Sequence, residues 1–197
     1  MNASFKTTAL TAICLVTVAA SSFAIPLQWN SGNGGNNHYY EMVIFNSTWL
    51  EAKAAAESAG GYLVTITSAA ENLWITNNVL TTVDSSLHTW IGLYQPSGSP
   101  EPAGGWSWIT GEAFSYSNWY IGEPNNFFGN ESYGHFEGNS NAADGRRWND
   151  IRNNPQNITS YVVEYNSVPD GDVSLLLASF FAFMLVGSRR RRVGWQF

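Results

Sequence analysis

The chain has a single cysteine, Cys14, and it lies within an N-terminal hydrophobic segment. Without a second thiol the chain forms no internal disulfide bond, and everything after residue 24 lacks a thiolate for catalysis or zinc binding. Charged residues make up only 12% of the chain, and basic ones are especially rare. Between residues 25 and 167, thirteen Asp and Glu residues face only Lys53, Arg146, Arg147 and Arg152. An acidic domain repels phosphate backbones, so we expect no nucleic-acid partner.

Long hydrophobic runs are missing from the middle of the chain and occur only near its two ends. At the N-terminus, Lys6 precedes an apolar run from Ala9 to Ala20 that is too short to span a membrane. A small-x-small cleavage site follows at Ser22-Phe23-Ala24. These features, in this order, predict a secretory signal peptide over residues 1–24 and therefore an exported protein.

Residues 167–197 form a second segment that is distinct from the central domain. Val168-Pro169-Asp170-Gly171 precedes an apolar stretch at residues 173–187 and a cluster of arginines at residues 189–192. The stretch is marginal for a transmembrane span, and the arginines fit a stop-transfer signal with a cytoplasmic end. The order resembles bacterial sorting signals of the PEP-CTERM type. That resemblance implies transient inner-membrane insertion through 173–187, processing by an exosortase-like enzyme, and a cell-surface or extracellular location; a plain C-terminal anchor is the alternative.

The central domain, residues 25–166, begins with a clear helix signal. Thr48 and Glu51 have the spacing of a capping box, in which each side chain binds the backbone N–H group of the other residue. Gly60-Gly61 predicts the end of this helix. Its apolar face is predicted to contain Trp49, Ala52, Ala56 and Ala59.

Ser68 and Glu71 predict a second capping box and a second helix that runs through Leu80. Helical periodicity then stops, and the pattern changes to short strands separated by loops. We predict strands at residues 38–43, 62–66, 90–93, 106–108, 148–151 and 161–165, which gives an α+β fold. Residues 115–147, rich in Asn, Gly and aromatics, are predicted to form a long irregular loop. A loop of this length in a compact domain is usually functional.

Oxygen-bearing side chains lie within this predicted loop and directly after it: Glu123, Asn125, Glu131, Asn149 and Asp150. Calcium takes six to eight oxygen ligands from carboxylates, amide carbonyls and the backbone. Three carboxylates and two amides therefore suit Ca²⁺ and leave coordination positions for water or ligand hydroxyls. We also expect Pro124 to follow a cis peptide bond that turns the side chains on either side of it toward one point.

These residues resemble a known family. Glu123-Pro124-Asn125, Glu131 and Trp148-Asn149-Asp150 are similar to the second calcium site of C-type lectin domains, and Trp90-Ile91-Gly92-Leu93 looks like the signature core strand of that family. The resemblance covers roughly residues 39–165. It implies a C-type lectin-like fold with two helices, small antiparallel sheets and a long calcium-binding loop. The cysteines that cross-link the animal domains are absent from this chain.

The resemblance also implies residue roles. All five oxygen-bearing residues would bind calcium, and Glu123, Asn125, Glu131 and Asn149 would also contact sugar hydroxyls. The Glu-Pro-Asn tripeptide is similar to family members that prefer mannose-type stereochemistry. Because the segment after Glu131 is longer than usual, Glu137 or Asp144 could replace it as a ligand. A single calcium ion is expected, because Asn126 and Ser132 stand where a further site would need acids.

Several expectations rest on the loop's other residues. Tyr133, His135, Phe127 and Phe128 are candidates for contacting a ligand, with His135 included in the carbohydrate-binding set. Tryptophans spaced along strands are more often core than a sugar-stacking platform. The spacing of the three histidines pairs none of them as zinc ligands.

Three classes of function are open at this point. The first is a calcium-dependent lectin, and the second is a surface adhesin that binds protein while calcium only braces the loop. The third is a hydrolase with Glu123 and Glu131 as an acid–base pair. We favour the lectin over the hydrolase, because both glutamates fit better as metal ligands and no nucleophile is apparent.

Overall fold

Two α-helices and eight β-strands form the part of the chain that this computed structural model describes, residues 25–82, 86–155 and 157–169. The signal peptide predicted at residues 1–24 lies outside these ranges, as do the apolar stretch and the arginines of the predicted sorting signal. Within the described ranges, no helix is both long and apolar enough to cross a lipid bilayer. The elements in chain order are β1 (Leu27–Gln28), β2 (Tyr39–Ile44), α1 (Trp49–Ser58), β3 (Tyr62–Leu63), α2 (Ala69–Asn78), β4 (His88–Tyr94), β5 (Ser107–Trp108), β6 (Tyr133–Ala142), β7 (Gly145–Ile151) and β8 (Ile158–Tyr165).

The first helix, α1, begins as the sequence predicts. The Thr48 side chain accepts from the backbone N–H of Glu51, and the Glu51 carboxylate accepts from the backbone N–H of Thr48, which completes the capping box. The buried face holds Trp49, Ala52 and Ala56. The prediction for Ala59 is wrong, because the helix ends one residue earlier and Ala59 is its exposed C-cap.

The second helix, α2, has only half of its predicted capping box. Ser68 accepts from the backbone N–H of Glu71, but the Glu71 carboxylate turns away to Thr67 and to the Tyr40 hydroxyl. Glu71 is buried, so its carboxylate links the helix to β2 instead of capping it. The helix is also shorter than predicted, since it ends at Asn78 and a short 3-10 turn carries Leu80.

The strands join one mixed sheet, which corrects the expectation of several small antiparallel sheets. Its order is β1-β2-β8-β4-β6-β7, with β3 on β8 and β5 on β4. Neighbouring strands in the described residues run antiparallel except for β4 and β8, which are parallel. The first strand, β1, has no signal in the sequence that predicted it. The α+β class itself is confirmed.

The largest correction concerns the loop predicted over residues 115–147. Its second half is the strand β6, which forms a hairpin with β7 through a turn at Ala143 and Asp144; Gly145, the first residue of β7, has φ +98°. The extra length after Glu131 therefore forms a hairpin instead of irregular chain. The register of β6 against β7 shifts between Phe136 and Asn141, which marks a bulge.

Tryptophan side chains fill the core, as expected. Trp108 and Trp148 are almost fully buried and meet edge to face, and Trp119 packs against Trp148 from the loop side. Trp49 and Trp90 belong to a second cluster beneath α1. These residues are structural, so they do not form an exposed stacking platform.

Candidate cation site

The irregular half of the loop lies along β7 through two backbone hydrogen bonds. The Trp148 N–H donates to the Asn118 carbonyl at 2.8 Å, and the Tyr120 N–H donates to the Trp148 carbonyl at 2.7 Å. A turn closed by the Glu123 N–H on the Tyr120 carbonyl at 3.0 Å follows. This pairing brings the Glu-Pro-Asn segment beside the Asn-Asp segment of β7, although they are far apart in sequence.

Asp150 connects the two segments. Its side chain is fully buried, and its carboxylate accepts from the backbone N–H of Asn125 at 3.1 Å and of Asn126 at 2.8 Å. The Glu123–Pro124 peptide bond just before them is cis, as predicted. Asp150 therefore holds the backbone of the loop at the place where the predicted calcium ligands begin.

Glu131 closes the other side of the loop. Its carboxylate accepts from the Phe127 N–H at 2.7 Å, and its own N–H donates to the Asn126 side chain at 3.0 Å. Asn126 has a left-handed backbone (φ +48°), which suits an asparagine in a tight turn. Burial, with the charge of Asp150 adding to it, raises the pKa of Glu131.

Glu123 shows how crowded the negative charges are. Burial, together with the carboxylates of Asp150, Glu131 and Glu137, raises its pKa to about 7. Its Oε2 atom is buried and has no hydrogen-bond partner among the described residues. A buried carboxylate oxygen without a donor, next to other carboxylates, is unfavourable unless a proton or a cation neutralises it.

Asn149 contributes a second buried oxygen of this kind. Its Oδ1 lacks a partner in the described part of the chain, while its Nδ2 donates a long hydrogen bond to Glu137 at 3.4 Å. Asn125 is exposed at the edge of the same loop. The structure thus brings the five predicted oxygen-bearing residues to one region around Asp150.

The two alternative ligands are placed differently. Asp144 lies in the β6–β7 turn, where it pairs with Arg147 at 3.1 Å. Glu137 lies in the bulge of β6, beside His88 and His135. Glu131, in contrast, lies within the loop itself, where its carboxylate accepts from the Phe127 N–H.

His135 requires a correction. Its side chain is fully buried in β6, with its ring next to His88 and Trp90, so it does not reach a ligand at the surface. The prediction that His135 contacts carbohydrate is therefore wrong. Tyr133 is half-buried against Trp49, whereas Phe127 and Phe128 are 59% and 83% exposed.

Two of the three histidines lie close together in the structure, contrary to the expectation from their spacing in the sequence. His88, His135 and Glu137 converge in the structure. The sequence did contain a signal, because His135 and Glu137 are two residues apart and such residues share a face of a strand. Only the pairing of β4 with β6 could add His88 to them.

The fold and the site geometry together define the class of protein. It is an α+β domain with a long loop and an oxygen-rich site beside the β6–β7 hairpin. The profile of the lectin C-type domain family matches residues 45–159, more than half of the chain. The chain belongs to this family, and its fold is the C-type lectin fold. Membership of this family favours the lectin class over the hydrolase class with Glu123 and Glu131 as an acid–base pair.

Relatives in sequence include a perlucin-like protein of Mytilus galloprovincialis, which is 36% identical over 104 residues. That match covers 52% of this chain and 61% of the relative. Regenerating islet-derived protein 3-beta of Mus musculus is 34% identical over 85 residues, covering 42% of this chain and 49% of the relative. The chain therefore spans 49% to 61% of the length of these two curated relatives.

Among solved structures, the C-type lectin CEL-I from Cucumaria echinata superposes with a TM-score of 0.54 and 26% identity, covering 66% of this chain and 91% of that chain. The C-type lectin domain of murine dendritic cell inhibitory receptor 2, solved in complex with an N-glycan, gives a TM-score of 0.50 and 26% identity. It covers 66% of this chain and 91% of that chain. The family match at residues 45–159 lies between the two predicted terminal signals.

Proposed function

We propose that the domain binds carbohydrate through a calcium ion held by Glu123, Asn125, Glu131, Asn149 and Asp150. The observation that carries this proposal is the pair of buried oxygens without partners, Glu123 Oε2 and Asn149 Oδ1, beside the Asp150 carboxylate. Carboxylate and amide oxygens are the ligands that calcium prefers. A divalent cation would also relieve the repulsion that raises the pKa of Glu123.

The ligand set leaves room for a sugar. Five side chains do not complete the six to eight positions around calcium, so two adjacent sugar hydroxyls can take the remaining ones. The same glutamate and asparagine side chains would then hydrogen-bond those hydroxyls. Glu123-Pro124-Asn125 favours mannose-type stereochemistry by family resemblance. A similar solved structure, the EPNH mutant of CEL-I, has the same Glu-Pro-Asn letters in its name.

Exposed aromatic residues next to the site support a binding role. Phe127 and Phe128 lie between Asn125 and Glu131 in sequence, and their ring centroids are 4.1 Å apart. Large apolar side chains that remain exposed next to a polar site often mark a contact surface. We assign them to the face of the sugar ring or to an adjoining part of the glycan.

The same exposed surface favours one alternative. Ile121, six residues before Phe127 in the same loop, is 92% exposed, and exposed apolar side chains of this kind would suit a protein partner while calcium only braces the loop. For either function we propose that the protein is exported, as the predicted signal at residues 1–24 implies. Sorting at the C-terminus stays a prediction, and the comparisons give no support to an exosortase-like partner.

A glycan array probed with and without a chelator tests the proposal. We expect binding to mannose-type glycans in calcium that is lost on chelation and in Asn149→Ala, because this variant removes a buried ligand oxygen. The matched control is Asn154→Ala, an exposed asparagine outside the site, which should bind normally. Phe128→Ala should weaken glycan binding while calcium affinity stays unchanged.

The other outcomes have definite meanings. Calcium binding with no glycan bound by the wild-type protein would support the protein-binding alternative. Glycan binding that persists in the chelator would contradict the proposal.

A further inference from the structure

Two histidines and a glutamate converge next to the proposed calcium site. One ligand atom from each of His88, His135 and Glu137 lies within 4.8 Å of the other two. Glu137 Oε2 is 3.5 Å from His88 Nδ1 and 3.8 Å from His135 Nε2, and the two imidazole centroids are 5.2 Å apart. Nitrogen ligands in this number do not suit calcium, so the cluster has a different chemistry from the oxygen site.

The sheet places these three side chains together. Thr89 of β4 pairs with Phe136 of β6, so His88 and Glu137 are the next residues along the two antiparallel strands. His135 and Glu137 are alternate residues of β6, and the bulge that follows Phe136 changes the direction of the chain at Glu137. The cluster is therefore built into the backbone pairing and does not depend on flexible surface side chains.

His135 is prepared for a ligand in two respects. Its Nδ1 lies 2.9 Å from the Phe136 carbonyl, so Nδ1 carries the proton and Nε2 keeps its lone pair. Metal-binding histidines commonly donate their second ring N–H to a backbone carbonyl in this way. Complete burial lowers the pKa of His135 to about 4, so the ring is neutral near pH 7.

The alternative interpretation is that His135 is an ordinary core histidine whose two ring nitrogens both have hydrogen-bond partners. His135 does not fit it, because Nε2 is fully buried and has no hydrogen-bond partner among the described residues. The Glu137 carboxylate lies 3.8 Å from it and also presents lone pairs. Two sets of lone pairs at this distance repel each other unless a positive charge lies between them.

We propose that His88, His135 and Glu137 bind a zinc ion at a site separate from the calcium site. In a tetrahedral zinc site with metal–ligand distances near 2.1 Å, neighbouring ligand atoms are about 3.4 Å apart. The two distances from Glu137 Oε2, 3.5 and 3.8 Å, are close to that value. The side chains of His88 and Glu137 are 21% and 24% exposed, so an ion can enter from the surface.

Such an ion would connect the start of β4 with the bulge of β6. The central domain has no cysteine, so a metal bridge here would do part of what a disulfide bond does elsewhere. It would also fix Glu137, whose carboxylate accepts the hydrogen bond from Asn149. This inference does not rest on sugar binding or on calcium binding.

The test is a calorimetric titration of the full-length protein with Zn²⁺ in saturating Ca²⁺. A Cys14→Ser background removes the only thiol, and Co²⁺ added as a probe reports tetrahedral nitrogen and oxygen ligands by visible absorption. We expect one zinc ion per chain. Zinc affinity should fall by at least about 10–100-fold in His88→Ala and in Glu137→Gln.

The matched control is His38→Ala, which removes the only histidine outside the cluster and should leave zinc affinity unchanged. Near-UV circular dichroism and urea unfolding of each variant check that the domain remains folded. If a variant unfolds, the stoichiometry and the cobalt spectrum of the His38→Ala protein still decide the question. The proposal is overturned if no zinc binds, if both cluster variants bind it as tightly as the wild type, or if calcium displaces it.

Discussion

His38 and Glu164 show how one buried carboxylate raises the pKa of a neighbouring histidine. His38 Nδ1 lies 2.6 Å from Glu164 Oε1, and the glutamate side chain is almost completely buried. The hydrogen bond to Glu164 raises the pKa of His38 above its ordinary value of 6.5, although partial burial opposes the shift. The folded protein therefore binds the His38 proton more tightly than the unfolded chain does.

This linkage predicts a pH-dependent contribution to stability. The contribution is complete below the unfolded pKa of about 6.5 and is lost as the pH rises through the higher folded pKa. We expect the difference in unfolding free energy between wild type and His38→Gln to be larger at about pH 6 than at about pH 9. Urea denaturation at both pH values measures it, and a difference that does not change with pH would contradict the assignment.

For individual residues, the sequence predicted which residue types lie at the site better than it predicted which side chains are exposed there. Residue type and order were enough to select five side chains that lie in one region of the fold: Glu123, Asn125, Glu131, Asn149 and Asp150. Their role as calcium ligands stays a prediction. His135 was misplaced because its exposure depends on which face of β6 it occupies. That face is set by pairing with β4, which the sequence of the loop does not reveal.

Among the elements, the contact between α2 and the β6–β7 hairpin positions the site. Asn72 of α2 is fully buried, and its Nδ2 donates to the Asp144 carbonyl at 2.9 Å and the Arg146 carbonyl at 3.2 Å. Its Oδ1 accepts from Trp148 Nε1 at 2.9 Å. One side chain therefore ties the helix to the strand that carries Asn149 and Asp150.

Replacing this side chain should be costly. Asn72→Ala leaves buried donors and acceptors without partners, so we expect a loss of about 2–4 kcal/mol in unfolding free energy. Asn77→Ala on the exposed face of the same helix should change it by less than about 0.5 kcal/mol. Chemical denaturation of the two variants gives the comparison, and equal effects would show that Asn72 does not hold the hairpin.

The elements also show where sequence patterns stop being informative. The first helix was predicted closely because its capping box and its glycine stop are local signals. The hairpin was missed because β6 lacks the alternating apolar pattern of a strand and contains Gly134 and Gly138 instead. Its extended form depends on neighbours from β4 and β7, which lie far away in sequence.

For the whole molecule, we propose that bound ions take the place of covalent cross-links. The central domain has no cysteine, and the loop is held by the backbone N–H groups of Asn125 and Asn126, which donate to the Asp150 carboxylate. An ion that binds only the folded state stabilises it by about 2.7 kcal/mol at 100 times its dissociation constant. The α+β class and the family could be recognised from the sequence, whereas the single mixed sheet could not.

A calorimetric calcium titration of the full-length protein measures directly whether this loop binds one calcium ion. Glu123→Gln should weaken binding by at least about tenfold, because it removes a charged ligand. Glu101→Gln is a matched control, since Glu101 also precedes a cis proline but is exposed and outside the site. We expect one bound calcium per chain in the wild type and in Glu101→Gln. No bound calcium, or equal affinity in Glu123→Gln, would contradict it.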